Sequence, residues 1–118
     1  MNDETKNNYT NKNDYEQLVI KNSNQLQIPP QAYLKIAKLC LVEGKKDISA
    51  LEEAIAKVDF PKIQTISHRM KGSFANMILD SISKPAMQIN ELSKKQEKIE
   101  EIKELFSLLT KNFSELPL

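Results

Sequence analysis

Residues 30–58, PQAYLKIAKLCLVEGKKDISALEEAIAKV, carry the most regular apolar pattern of the chain. Leu34, Ala37, Leu41, Gly44, Ile48, Leu51, Ile55 and Val58 follow one another at spacings of 3, 4, 3, 4, 3, 4 and 3. A helix makes a turn every 3.6 residues, so this alternation marks a single buried stripe. The rhythm crosses Gly44 without losing phase, whereas a loop there would shift it. The spacing therefore predicts one long helix from about Pro30 to Lys57. Gly44 costs that helix about 1 kcal/mol relative to alanine and offers a place to bend.

Working downstream, Asp59 is a good N-cap and Pro61 is tolerated in the first turn behind it. The helix that follows runs to about Met77 or Ile78, with Ile63, Ile66, Met70, Phe74 and Met77 as its apolar stripe. Asp80 or Ser81 is the expected cap of a fourth helix carrying Ile82, Ala86, Ile89 and Leu92. Pro85 must fall near its first turn or kink it. A last helix carries Ile99, Ile102, Phe106, Leu109 and Phe113. Residues 93–98 hold neither Gly nor Pro. A continuous helix from 80 to 113 would find little to pack against, so a hairpin is predicted.

Upstream, Pro29-Pro30 punctuates the chain. Tyr15, Leu18, Val19 and Leu26 form one face of a short helix over 14–26, capped by Asp14. Residues 1–13 are polar, with Tyr9 as their one aromatic, and read as a disordered tail. The expected fold is all-α, an up-and-down four-helix bundle over 30–114 with an additional short N-terminal helix, residues 14–118 forming one domain.

Bulk composition narrows the function. The chain has 118 residues, 17 basic and 16 acidic, for a net charge of +1. A nucleic-acid binder should be markedly basic, so none is expected as a partner. There is no apolar h-region behind Met1 and no apolar run near the ~20 residues of a membrane span, so membrane insertion is not expected and a cytoplasmic location is. The one cysteine, Cys40, rules out an intrachain disulfide and reads as a buried, inert thiol. One His and one Cys far apart supply no metal cluster, and Glu52-Glu53 and Glu100-Glu101 read as surface charge, so no metal or hydrolytic site is expected.

The only histidine, His68, lies on the 61–78 helix. With Ile63 at zero on a helical wheel, the apolar stripe falls within roughly 60° and His68 about 140° away. The imidazole therefore faces water, among Gln64, Thr65, Lys71, Gly72 and Ala75. Gly72, one turn after His68, costs the helix about 1 kcal/mol and removes a side chain that would crowd the ring. Lys71, three residues on, is placed to neutralise charge on a group attached to it. An imidazole exchanges its proton near neutral pH, so a ring nitrogen with a free lone pair is well populated and can attack a phosphoryl group held on a carboxylate.

His68-Arg69-Met70-Lys71-Gly72-Ser73-Phe74-Ala75-Asn76-Met77 resembles the signature of histidine phosphotransfer (HPt) domains, roughly H-x-L-K-G-S-x-x-N-L, and Asp59-Phe60 ahead of it fits as well. The likeness spans about residues 30–113. It implies a four-helix bundle and a phosphoryl group carried on Nε2 of His68, with Lys71 stabilising its charge. The implied partners are receiver domains of response regulators or a hybrid sensor histidine kinase. Gln64, Thr65, Arg69, Gly72, Ala75 and Asn76 are then the docking surface. No cofactor belongs to the domain itself, since Mg²⁺ sits on the partner receiver, and no ATP-dependent kinase activity is implied. Many members place a glutamine near the imidazole. Asn90 aligns with it and Gln88 lies close by, as candidates for a hydrogen bond to the ring or phosphoryl group. Phe74, Ile78 and Pro85 depart from the pattern, Ile78 standing where a glycine often ends the histidine helix.

A monomer is expected. A chain that starts at Met1 and ends soon after its last helix suggests a free-standing protein, with a fragment of a hybrid kinase as the alternative. The competing reading is a helical interaction module that docks on receivers without phosphotransfer; the His68, Lys71 and Gly72 set speaks against it.

Overall fold

A computed structural model of the chain describes residues 12–118, with side chains from Asp14 onward. Five helices follow in order: α1 (Lys12–Leu26), α2 (Pro30–Ala56), α3 (Phe60–Asn76), α4 (Asp80–Lys94) and α5 (Ile99–Ser114). Packing runs α2 on α3, α3 on α4 and α4 on α5, and α5 closes the ring on α2, while α1 leans on α2. This is the predicted up-and-down bundle with an extra helix outside it. The tail expected at 1–13 falls outside the described residues as far as position 11. Positions 12 and 13 are already helical, and Asp14 sits in the first turn of α1 instead of capping it. No helix of the described residues is long and apolar enough to cross a membrane.

The predicted stripe of α3 is the centre of the core: Ile63, Ile66, Met70, Phe74 and Met77 are all buried. Ala37, Leu51 and Ile55 of α2 meet it, joined by Tyr33 and Ala54. Val58, at the end of the α2 rhythm, is instead exposed because it lies past the helix end. α2 runs unbroken through Gly44, and the reason is a close approach. A Cβ there would stand 2.8 Å from Cζ of Phe74 and 3.0 Å from Cε1 of Phe113. Those two rings pack edge to face with centroids 6.1 Å apart. Gly44 thus lets three helices meet at one aromatic pair.

α3 begins as predicted, with the Asp59 carboxylate accepting from the Lys62 amide at 3.2 Å. It ends at Asn76, just short of the expected Met77. The Ile78 amide donates to Ala75 O and the Leu79 amide to Phe74 O, at 3.0 and 2.9 Å. These bonds form a Schellman turn, which needs a left-handed residue, and Ile78 supplies it at φ 56°. A β-branched residue pays about 1–2 kcal/mol there, where glycine pays nothing. Ile78→Gly is therefore expected to stabilise the fold by about 1 kcal/mol, raising Tm by about 4 °C. Urea unfolding measures this; a loss of stability would mean that the Ile78 side chain contributes more than the left-handed backbone costs.

The cap of α4 falls one residue before Asp80 and two before Ser81. Leu79, not Asp80 or Ser81, occupies the N-cap, without a side-chain cap bond. The tight turn buries Leu79 and points its carbonyl at the Ile82 and Ser83 amides, so Asp80 becomes a first-turn residue. Pro85 lies inside the helix, beyond its first turn. Proline has no N–H, so the Ser81 carbonyl loses its helical donor. Asn112 of α5 replaces it, donating from Nδ2 to Ser81 O at 2.8 Å. The predicted hairpin after α4 forms without Gly or Pro because Gln96 and Lys98 take left-handed φ values of 54° and 62°.

α1 is tied to the end of the histidine helix by a buried polar network. Asn22 Nδ2 donates to the Tyr33 hydroxyl at 3.0 Å and to Ile78 O at 3.2 Å. The Tyr33 hydroxyl in turn donates to Met77 O at 2.8 Å.

Candidate functional site

α3 lies between α2 and α4, and its remaining face is open. The buried stripe sets the rotation of the helix, and that rotation puts His68 outward. The side chains of Gln64, Thr65, His68, Arg69, Ala75 and Asn76 are all exposed on this face, with Lys71 and Gly72 half-buried among them. The residues read from the wheel as one surface are thus brought together. Neither the His68 ring nor the Lys71 ammonium has a hydrogen bond or ion pair among the described residues.

The two glycines of the chain contrast sharply. Unlike Gly44, Gly72 has no atom of the described residues, its own helical turn and chain neighbours aside, within 4 Å of where its Cβ would be. No internal contact requires a glycine there, so its helix penalty of about 1 kcal/mol has no counterpart within the fold.

Arg69 is less free than its neighbours. Its guanidinium donates to Asp47 of α2, Nη2 to Oδ1 at 2.7 Å and Nε to the same oxygen at 3.2 Å. The Asp47 side chain is only 13% exposed, and its carboxylate holds the guanidinium above its ordinary pKa. The Thr65 hydroxyl is committed to its own helix, donating to Pro61 O at 3.0 Å.

Asn90 and Gln88 make no hydrogen bond to His68. Gln88 is exposed on α4. Asn90 is fully buried, and its Nδ2 donates to Gln64 O at 2.9 Å and to Ser67 Oγ at 3.3 Å. Both amide hydrogens are therefore spent on the backbone side of α3. The short Asn side chain ends inside the α3–α4 interface and does not reach out along the surface. Its Oδ1 is shut off from solvent and has no partner among the described residues, which costs about 1–3 kcal/mol. Ser67, which the sequence reading passed over, is buried next to His68 and donates to Ile63 O at 2.7 Å.

Toward α2 the open face borders a shallow groove lined by Ile36, Leu39, Cys40, Glu43, Ser73 and Asn76. Leu39 is 63% and Ile36 48% exposed, so the groove has an apolar lip that the sequence reading missed. Both lie off the core stripe of α2, where a solvated face would be polar. Cys40, expected to be buried, is half-buried at this groove with Sγ 3.9 Å from Ser73 O. Burial, and then the nearby Asp47 charge, pushes its thiol up, away from reactive thiolate. Among the described residues no cluster of His, Cys, Asp and Glu is arranged to hold a metal ion.

Comparison with known proteins agrees with the signature around His68. No curated protein and no solved structure matches the chain. Residues 35–116 match the profile of the family described as Hpt domain, a span that takes in α3, α4, α5 and most of α2. With its helical bundle and its exposed histidine, the chain belongs to the Hpt, or histidine phosphotransfer, domain family.

Proposed function

We propose that this chain is a phosphoryl carrier in a two-component phosphorelay. His68 accepts a phosphoryl group from an aspartyl-phosphate receiver domain and passes it to another receiver. One observation carries this reading: an exposed imidazole with no hydrogen-bond partner among the described residues, beside a Gly72 that no packing among them demands. Nε2 attacks phosphorus, the N–P bond forms as the P–O bond to the aspartate breaks, the carboxylate leaves, and Nδ1 keeps its proton. The reverse reaction hands the group on. Lys71 is close enough along the helix to offset phosphoryl charge. Mg²⁺ on the receiver supplies the remaining neutralisation, and the chain needs neither a metal nor ATP of its own. It acts as a cytoplasmic monomer.

A receiver seated on His68 covers about 800 Å² of each partner, more than one helix face provides. The apolar lip of Ile36 and Leu39 is the favoured continuation of the footprint beyond Gln64, Thr65, Arg69, Gly72, Ala75 and Asn76. Gly72 tests the docking. Gly72→Leu is expected to weaken receiver binding by at least about tenfold, or 1.4 kcal/mol, measured by calorimetric titration. Gly72→Ala should stabilise the fold by about 1 kcal/mol, because its methyl meets open space. In parallel, phosphorylated receivers of the same genome are expected to pass acid-labile label to the unmodified chain. Receivers that bind without passing label would identify an interaction module instead. Equal affinity for the Gly72→Leu variant would remove the docking role of this face.

A further inference from the structure

The buried side of the histidine turn contains an arrangement that the open face does not explain. Asn90 Nδ2 donates to Gln64 O and to Ser67 Oγ, and the Ser67 hydroxyl is itself turned toward Ile63 O. The orientation of the amide follows, because reversing it would set Oδ1 against the Gln64 carbonyl oxygen. In this orientation Oδ1 is left buried without a donor among the described residues. A leucine of similar volume would fill the same space with no unpaired acceptor. The amide thus has a use only through what Nδ2 holds. Gln64 O is the carbonyl that accepts the His68 amide in a helix whose bonds run from i to i−4. Ser67 immediately precedes His68. Nδ2 therefore holds, from α4, both the carbonyl that accepts the His68 amide and the hydroxyl of the residue just before His68.

We propose that Asn90 is a positioning residue for His68. It sets the rotation and height of the α3 turn through the Gln64 carbonyl and the Ser67 hydroxyl, and so where the ring nitrogen stands before an incoming phosphoryl group, without touching the ring. The proposal rests on the reading of His68 as the phosphoryl acceptor. Transfer is sensitive to such placement, since an error of about 1 Å in an aligned reaction is worth on the order of a hundredfold in rate. Asn90 is fully buried, so the receiver does not contact it and affinity should not depend on it.

The test uses Asn90→Leu and Ser67→Ala in the full chain, the second being a milder deletion that keeps the measurement open if the first fails to fold. Amide hydrogen exchange at His68 is expected to quicken locally, by about tenfold over other α3 amides in Asn90→Leu. The maximal rate of phosphoryl transfer should fall by about ten- to a hundredfold in Asn90→Leu, and less in Ser67→Ala. The receiver concentration at half-maximal rate and the lifetime of phosphorylated His68 should stay as they are. If both folded variants transfer at the normal rate while the unmodified chain is labelled, Asn90 only fills space and the proposal is overturned. A shortened phosphohistidine lifetime with unchanged exchange at His68 overturns it too, by showing direct contact with the phosphoryl group. An unmodified chain that takes no label from any receiver overturns the phosphotransfer reading itself, an outcome read without either variant.

Discussion

His68→Gln is expected to remove acid-labile phosphoryl labelling completely while leaving the unfolding curve where it was. Glutamine keeps a polar side chain of similar reach, but its amide nitrogen has no available lone pair, so no N–P bond can form. The fold has little to lose. His68 is exposed, opposite the buried Ile63, Ile66, Met70 and Phe74, and its ring bonds to nothing among the described residues. Surface changes of this kind shift stability by no more than about 0.5 kcal/mol, and glutamine is the better helix former. The measurement is transfer from a radiolabelled receiver, run beside thermal unfolding of the same preparation. Full labelling of the variant would put the acceptor elsewhere and end the assignment. Because the chain has a single histidine, residual label stable to acid would also be diagnostic, pointing to a hydroxyl or another non-histidine acceptor.

The largest effect on the fold is expected at the aromatic pair beneath Gly44. Gly44→Val brings branched carbon into a space where even Cβ would lie 2.8 Å from the Phe74 ring and 3.0 Å from that of Phe113. Phe74, the ring in closest contact, is buried and packed edge to face on the partly buried Phe113, so it has no cheap way out. Overpacking of this kind costs about 1–3 kcal/mol, the upper end applying where three helices converge. Phe74→Ala makes the opposite error and should lose about 3–5 kcal/mol through the cavity it opens. The informative variant combines them. Valine at 44 grows into the space that Phe74 vacates, so the double variant should be more stable than the sum of the singles by at least about 1 kcal/mol. Strict additivity in chemical denaturation would show that the clash is relieved elsewhere. Both variants retain the face of α3 that carries His68, so a folded fraction should still take label.

Much of this architecture is legible in the order of residues, because it depends on one helix at a time. The unbroken phase across Gly44 foretold α2, and the Asp59 cap foretold the start of α3. The stripe from Ile63 to Met77 set which way His68 faces, since burying one side of a helix leaves the other to water. The surface of Gln64, Thr65, Gly72 and Ala75 around the imidazole follows from the same rotation. What escaped the sequence reading all joins two helices or turns between them. Asp47 reaching Arg69, Asn112 replacing the donor that Pro85 lacks, and Asn90 turning inward to Gln64 O and Ser67 are such pairs. So is the apolar lip of Ile36 and Leu39 beside α3. Left-handed Ile78, which shortened α3 and moved the cap of α4 to Leu79, belongs with them. Periodicity states the direction in which a side chain points from its own axis. It carries no information on the height and rotation at which a second axis, 20 to 30 residues away, comes to rest against it. That relative placement is chosen by the packing of the whole core, and it decided that Asn90 meets the backbone of the histidine turn instead of the imidazole.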